Sequence, residues 1–81
     1  MKSKLRYEDK EQVLKAIGNK MKTLRKQKGY KNYETFAYEN EIPRAQYGRY
    51  ERGSDLKLTN FLKVLDALDI SLHEFFDKDF D

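Results

Sequence analysis

The stretch YETFAYENEIPRAQYGRYERG, residues 33–53, does most to limit what this 81-residue chain can fold into. It reads as two short helices joined by a tight turn, the second opening at Pro43 or Arg44. At about 100° per residue, Arg44, Gly48, Arg52, Ala45 and Arg49 of the second helix fall within one arc of roughly 140°. Tyr50, Tyr47 and Glu51 fall on the other side, with Gln46 at the border. A helix that only packs against a core hides its aromatics and leaves mixed polar groups outside. This one presents arginine and smallness together. Small residues let a backbone come close to a surface, and arginine forks onto guanine O6 and N7 or onto phosphate. That layout suits a helix reading the major groove of DNA.

The flanking segments are helical as well. Asp9 with Gln12 three residues later makes a capping box for a first helix. Val13, Ile17, Met21 and Leu24 then form an apolar stripe, with Lys15, Lys20, Lys22 and Lys26 off it. Gly29 stops this helix, and Gly18 inside it costs about 1 kcal/mol relative to alanine. Asn32 is a good N-cap for the second helix, which runs from residue 33 to about 40 with Phe36 and Ala37 inward. Gly53 ends the third helix. Residues 54–58 form a loop, Thr59 caps a fourth helix, and Phe61, Leu62, Leu65 and Leu68 make its stripe, with Val64 beside it. After a short turn at Asp69 and Ile70, Ser71 and Glu74 form a second capping box. It opens a fifth helix holding Leu72, Phe75 and Phe76. With no convincing strand, internal repeat or linker, the expectation is an all-α bundle of one domain over residues 9–76. Residues 1–8 are a basic arm, either flexible or an early helical turn, and residues 77–81 an acidic tail.

Charge sharpens the functional reading. The net charge is only +3, but residues 1–31 hold eleven Lys or Arg against three acids, whereas residues 32–81 hold six against eleven. The basic arm and first helix suit a polyanion, and the acidic tail faces away from it. For any single lysine a solvated surface is the plainer reading. There is no cysteine, no apolar run of membrane-spanning length and no signal-peptide core, which points to a cytoplasmic protein. No catalytic constellation is visible. His73 is the sole histidine, and Ser71, two residues away at a helix start, diverges from it. Neither an enzyme nor a cofactor or metal site is expected, and no ligand-sensing domain or small-molecule effector is evident.

Phe36-Ala37, Ile42-Pro43 and the run Tyr47-Gly48-Arg49-Tyr50-Glu51-Arg52-Gly53 together resemble the Cro/phage-repressor (XRE-type) helix-turn-helix family, whose members carry a pattern close to LA…GIS…ISRIERG. The likeness extends from about residue 17 to 76. It implies a five-helix, lambda-repressor-like bundle acting as a sequence-specific double-stranded DNA-binding transcriptional regulator. The sequence departs from the pattern at the turn, where Glu41 replaces the usual glycine. Either Glu41 or Asn40, which tolerates positive φ better, must take the left-handed conformation. Tyr33 stands where the family often has a glutamine touching phosphate and base.

Carried onto this chain, the resemblance assigns base contacts to Arg44, Ala45 (against a thymine methyl), Gln46 and Arg49. It assigns backbone contacts to Asn32, Tyr33, Arg52, Lys31 and Lys57, with Gly48 permitting close approach. Each arginine has the alternative of binding phosphate alone. The family's pairing of the ERG-type glutamate with a first-helix arginine implies an Arg25–Glu51 salt bridge. Family members usually bind two-fold-related sites as dimers. For self-association this chain offers Leu72, Phe75, Phe76 and Phe80, although Phe75 and Phe76 equally suit closing the monomer core. The competing reading is an antitoxin-like or co-regulator module whose basic face binds an acidic protein.

Overall fold

A computed structural model describes residues 9–77; the basic arm over residues 1–8 and the tail from residue 78, with Phe80, lie outside the described residues. The order of elements is α1 (Lys10–Gln27), α2 (Tyr33–Glu39), α3 (Arg44–Glu51), α4 (Leu58–Leu68) and α5 (Leu72–Phe75). No strand occurs among the described residues, so the architecture is the all-α, five-helix bundle.

Helix α1 is the longest, and its apolar stripe runs unbroken over about three turns. Met21 is fully buried, and Ile17 and Leu24 pack against the core. Its start differs from expectation: the Asp9 side chain makes no capping bond. With ψ at 52°, Asp9 lacks the extended backbone that aims a carboxylate at the first-turn amides, and only its carbonyl joins the helix, accepting from Val13 N at 3.0 Å. Asn32 does cap α2, its Oδ1 accepting from Thr35 N at 2.8 Å. Phe36 and Ala37 are both fully buried beneath it.

The α2–α3 turn resolves the open choice between Asn40 and Glu41. Glu41 takes the left-handed conformation, with φ of 59°. Asn40 stays outside that region and uses its amide to donate to the Phe36 carbonyl at 2.8 Å. Two bonds hold the turn in place. Ile42 N donates to the Ala37 carbonyl at 2.9 Å, and Lys63 Nζ of α4 donates to the Glu41 carbonyl at 3.0 Å.

Helix α4 begins one residue before Thr59, with Lys57 at the N-cap and no side-chain cap. The turn forms early because Phe61 N bonds the Lys57 carbonyl at 2.9 Å as its ring enters the core. Burial follows Phe61, Val64, Leu65 and Leu68, which leaves Leu62 about 100° around the helix from Phe61 and 41% exposed. Leu62 was expected in the stripe and lies outside it. The Ser71–Glu74 capping box is complete, with both reciprocal bonds at 3.0 Å. Phe75 is fully buried and meets Phe61 edge-on at 5.1 Å, so it closes the monomer core and is not available for self-association.

Candidate nucleic-acid interface

The inner face of α3 is built from aromatics. Tyr47 is wholly buried and Tyr50 nearly so. Tyr47 packs on Phe36 of α2 at a ring separation of 5.1 Å, and on Tyr50 edge-on at 6.4 Å. Helix α1 crosses the end of α3 at Gly18. A Cβ there would lie 2.5 Å from the Tyr50 carbonyl oxygen and 2.7 Å from that of Glu51. A glycine that local propensity counts as a weakness is thus what allows α1 to lie against the α3 backbone.

An ion pair ties the same two helices together. Arg25 of α1 donates from Nε to Glu51 Oε2 at 2.8 Å, from Nη2 to Oε1 at 3.0 Å, and from Nη1 to the Tyr30 carbonyl at 2.8 Å. The Arg25 side chain is 3% exposed and that of Glu51 7%. The fork-on-fork geometry satisfies both charges away from water. The hydrogen bonds that Arg25 donates to Glu51 raise its guanidinium above its already high ordinary value, against the opposing effect of burial. The Tyr47 hydroxyl lies in this setting without a hydrogen-bond partner among the described residues. Burial pushes its phenol far above the ordinary range, and the nearby Glu51 carboxylate adds to the effect.

With its inner face anchored in this way, α3 turns Arg44, Ala45, Arg49 and Arg52 to solvent. Gln46 is half-buried, and its amide nitrogen donates to the Tyr50 hydroxyl. Gly48 differs from its assigned role. It is buried, and a Cβ on it would meet the Tyr33 ring at 2.7 Å. The space left by the missing side chain is filled by a residue of the same chain rather than kept open for an approaching backbone. Tyr33 is accordingly half-buried, its ring resting on α3. Lys31 and Asn32 are exposed at the head of α2; the Asn32 oxygen serves the cap, which leaves its amide N–H groups as donors. Lys57 is exposed at the N-cap of α4.

Between α1, the head of α2 and the end of α3 lies an open depression of about 390 Å³. Lys31, Asn32, Tyr33 and Arg52 line it, joined by Asn19, Lys22 and Lys26 of α1. The sequence marks α1 as basic but does not say which of its polar residues join the others. These α1 residues lie on the polar side of an amphipathic helix, and only the crossing of three helices decides which part of that side meets the others. Among the described residues no cluster of three or more His, Cys, Asp or Glu could hold a metal ion, and no helix is long and apolar enough to cross a membrane.

The sequence model of the helix-turn-helix family matches residues 21–75, which include α2, α3 and the Arg25–Glu51 pair. The chain belongs to the helix-turn-helix family. It is 38% identical over 61 residues to the control protein C.MunI of Mycoplasma sp, an alignment covering 74% of this chain and 82% of that protein. It is also similar to the crystal structure of the restriction-modification controller protein C.AhdI from Aeromonas hydrophila. There the TM-score is 0.71 and the identity 36%, over 80% of this chain and 98% of the other. The resemblance to the Cro/phage-repressor type drawn from residues 36–53 therefore stands, and this helix-turn-helix protein is a DNA-binding transcriptional regulator. The alternative of a protein-interaction module is not favoured.

Proposed function

We propose that this regulator works by laying α3 in the major groove of double-stranded DNA, with Arg44, Ala45, Gln46 and Arg49 toward base edges. Asn32, Tyr33, Lys31, Arg52 and Lys57 would take backbone phosphates. The observation that carries the reading is the division of α3. Its aromatic side is locked into the core, and its arginine-bearing side is exposed and unpaired among the described residues. Gln46 contributes through its oxygen while its amide nitrogen is held by Tyr50. We further infer a cytoplasmic controller of restriction–modification genes; the regulatory role is supported by the similarity to the restriction-modification controller protein C.AhdI. A homodimer on a two-fold-related site is supported by Leu58 and Leu62 of α4 with Leu72 and Phe76 at α5, which remain 41–66% exposed. Of the set read from sequence, Leu72 and Phe76 stay exposed, Phe75 is consumed by the core, and Phe80 lies outside the described residues.

Binding-site selection from randomised duplex DNA at near-physiological salt tests this directly. The expected product is a two-fold-related motif with guanines at matching positions. Arg49→Ala should cost about 1–3 kcal/mol on that motif and relax preference at one position per half-site. Equal weakening on all sequences would reassign Arg49 to phosphate, and selection of a single asymmetric motif would remove the dimer.

A further inference from the structure

We infer that the depression between α1, α2 and α3 is a seat for DNA backbone phosphate, and that Lys22 and Lys26 of α1 are contacts of that seat. The inference rests on the DNA-binding reading and extends the footprint to a helix outside the helix-turn-helix pair.

Four cations converge on this one concavity: Lys22 and Lys26 from α1, Lys31 from the link before α2, and Arg52 from the C-cap of α3. None forms an ion pair among the described residues. The acid in the lining, Glu51, is fully committed to Arg25, so nothing in the depression neutralises the four. Concentrating like charge in a concave place is unfavourable unless an anion occupies it. One other lysine of α1 is paired: Lys20 meets Asp77 at 3.1 Å. Lys22 and Lys26 are one helical turn apart, roughly 6 Å along α1, so both heads reach the same stretch of polyanion. The amide donors of Asn32 add neutral hydrogen bonds suited to phosphate oxygens. The depression adjoins α3 through Gly48 and Arg52, so a duplex lying on the reading face continues across it.

The test compares the full-length chain with two charge-matched double variants on one selected duplex across a salt series. Lys22→Gln/Lys26→Gln removes the α1 contacts. Lys10→Gln/Lys15→Gln removes the same charge from the far part of α1, where neither residue lines the depression. Each phosphate contact contributes about 0.9 to the slope of log K against log salt. The first variant should therefore lose about 2 from that slope, so that its fold-loss of affinity between roughly 50 and 200 mM salt shrinks about tenfold relative to the parent. Its base preference should be unchanged, and the control should keep the parental slope. Equal slopes in the two variants, or no change in either, would overturn the phosphate seat while leaving the reading helix intact. If the parent chain shows no DNA binding at all, the underlying reading fails and the seat fails with it.

Discussion

Gly18→Ala is the substitution on which local and tertiary physics disagree in sign. On an isolated helix, alanine would improve α1 by about 1 kcal/mol over glycine. In the folded chain the added Cβ would stand 2.5 Å from Tyr50 O, 2.7 Å from Glu51 O and 2.9 Å from Glu51 C. All three are backbone atoms of α3, so no side-chain rotation can relieve the contact. Reaching an ordinary separation requires α1 and α3 to move apart by close to an ångström, in a core where both are already packed. Overpacking costs about 1–3 kcal/mol, and a rigid backbone wall places this case near the upper end. After the propensity gain, the net loss is about 2 kcal/mol, or roughly 8–16 °C in Tm for a domain of this size. Thermal unfolding followed by far-ultraviolet circular dichroism gives the number. DNA affinity should fall more than stability alone explains, because the displaced element is the reading helix. A rise in Tm of several degrees would refute the close crossing, since that is the outcome for a glycine on an open helix face.

The Arg25–Glu51 pair makes a second prediction. Arg25→Met alone should cost about 3–5 kcal/mol, because Glu51 is left charged and buried, whereas Arg25→Met/Glu51→Met should recover most of that loss. Urea denaturation of the single and double variants reads it, and a single variant within about 1 kcal/mol of the parent would mean that the pair is open to water. Tyr47 makes a third. Its buried hydroxyl lacks a partner among the described residues, so Tyr47→Phe should raise stability by about 1 kcal/mol. The phenol also governs the alkaline limb. Unfolded, it loses its proton near pH 10.0, while burial keeps it protonated in the folded chain to much higher pH. Above pH 10 the unfolded state therefore binds fewer protons, and stability should fall by about 1.4 kcal/mol per pH unit from this residue. Tyr47→Phe should remove that component, and an unchanged alkaline limb would contradict it.

Much of this protein follows from local rules acting on its sequence. The stripes of α1 and α4, the Asn32 cap, the Ser71–Glu74 box and the two-faced character of α3 depend on residues a few positions apart, and such patterns survive folding because burial reinforces them. The family likeness over residues 36–53 follows from the same short spacings. Only the tertiary structure decided the rest. Gly18 and Gly48 owe their smallness to neighbours distant in the chain, the α3 backbone at Tyr50 and Glu51 and the Tyr33 ring. Which of Asn40 and Glu41 turns left-handed depends on a network that includes Lys63 of α4, not on intrinsic preference, which favours asparagine. Leu62 left the core and Phe75 entered it because the angle at which a helix packs is set by its partners. Lys22 and Lys26 joined a basic depression for the same reason. Periodicity specifies that a helix has an inner and an outer face, but the sides of its outer face acquire distinct roles only when other helices lie against it.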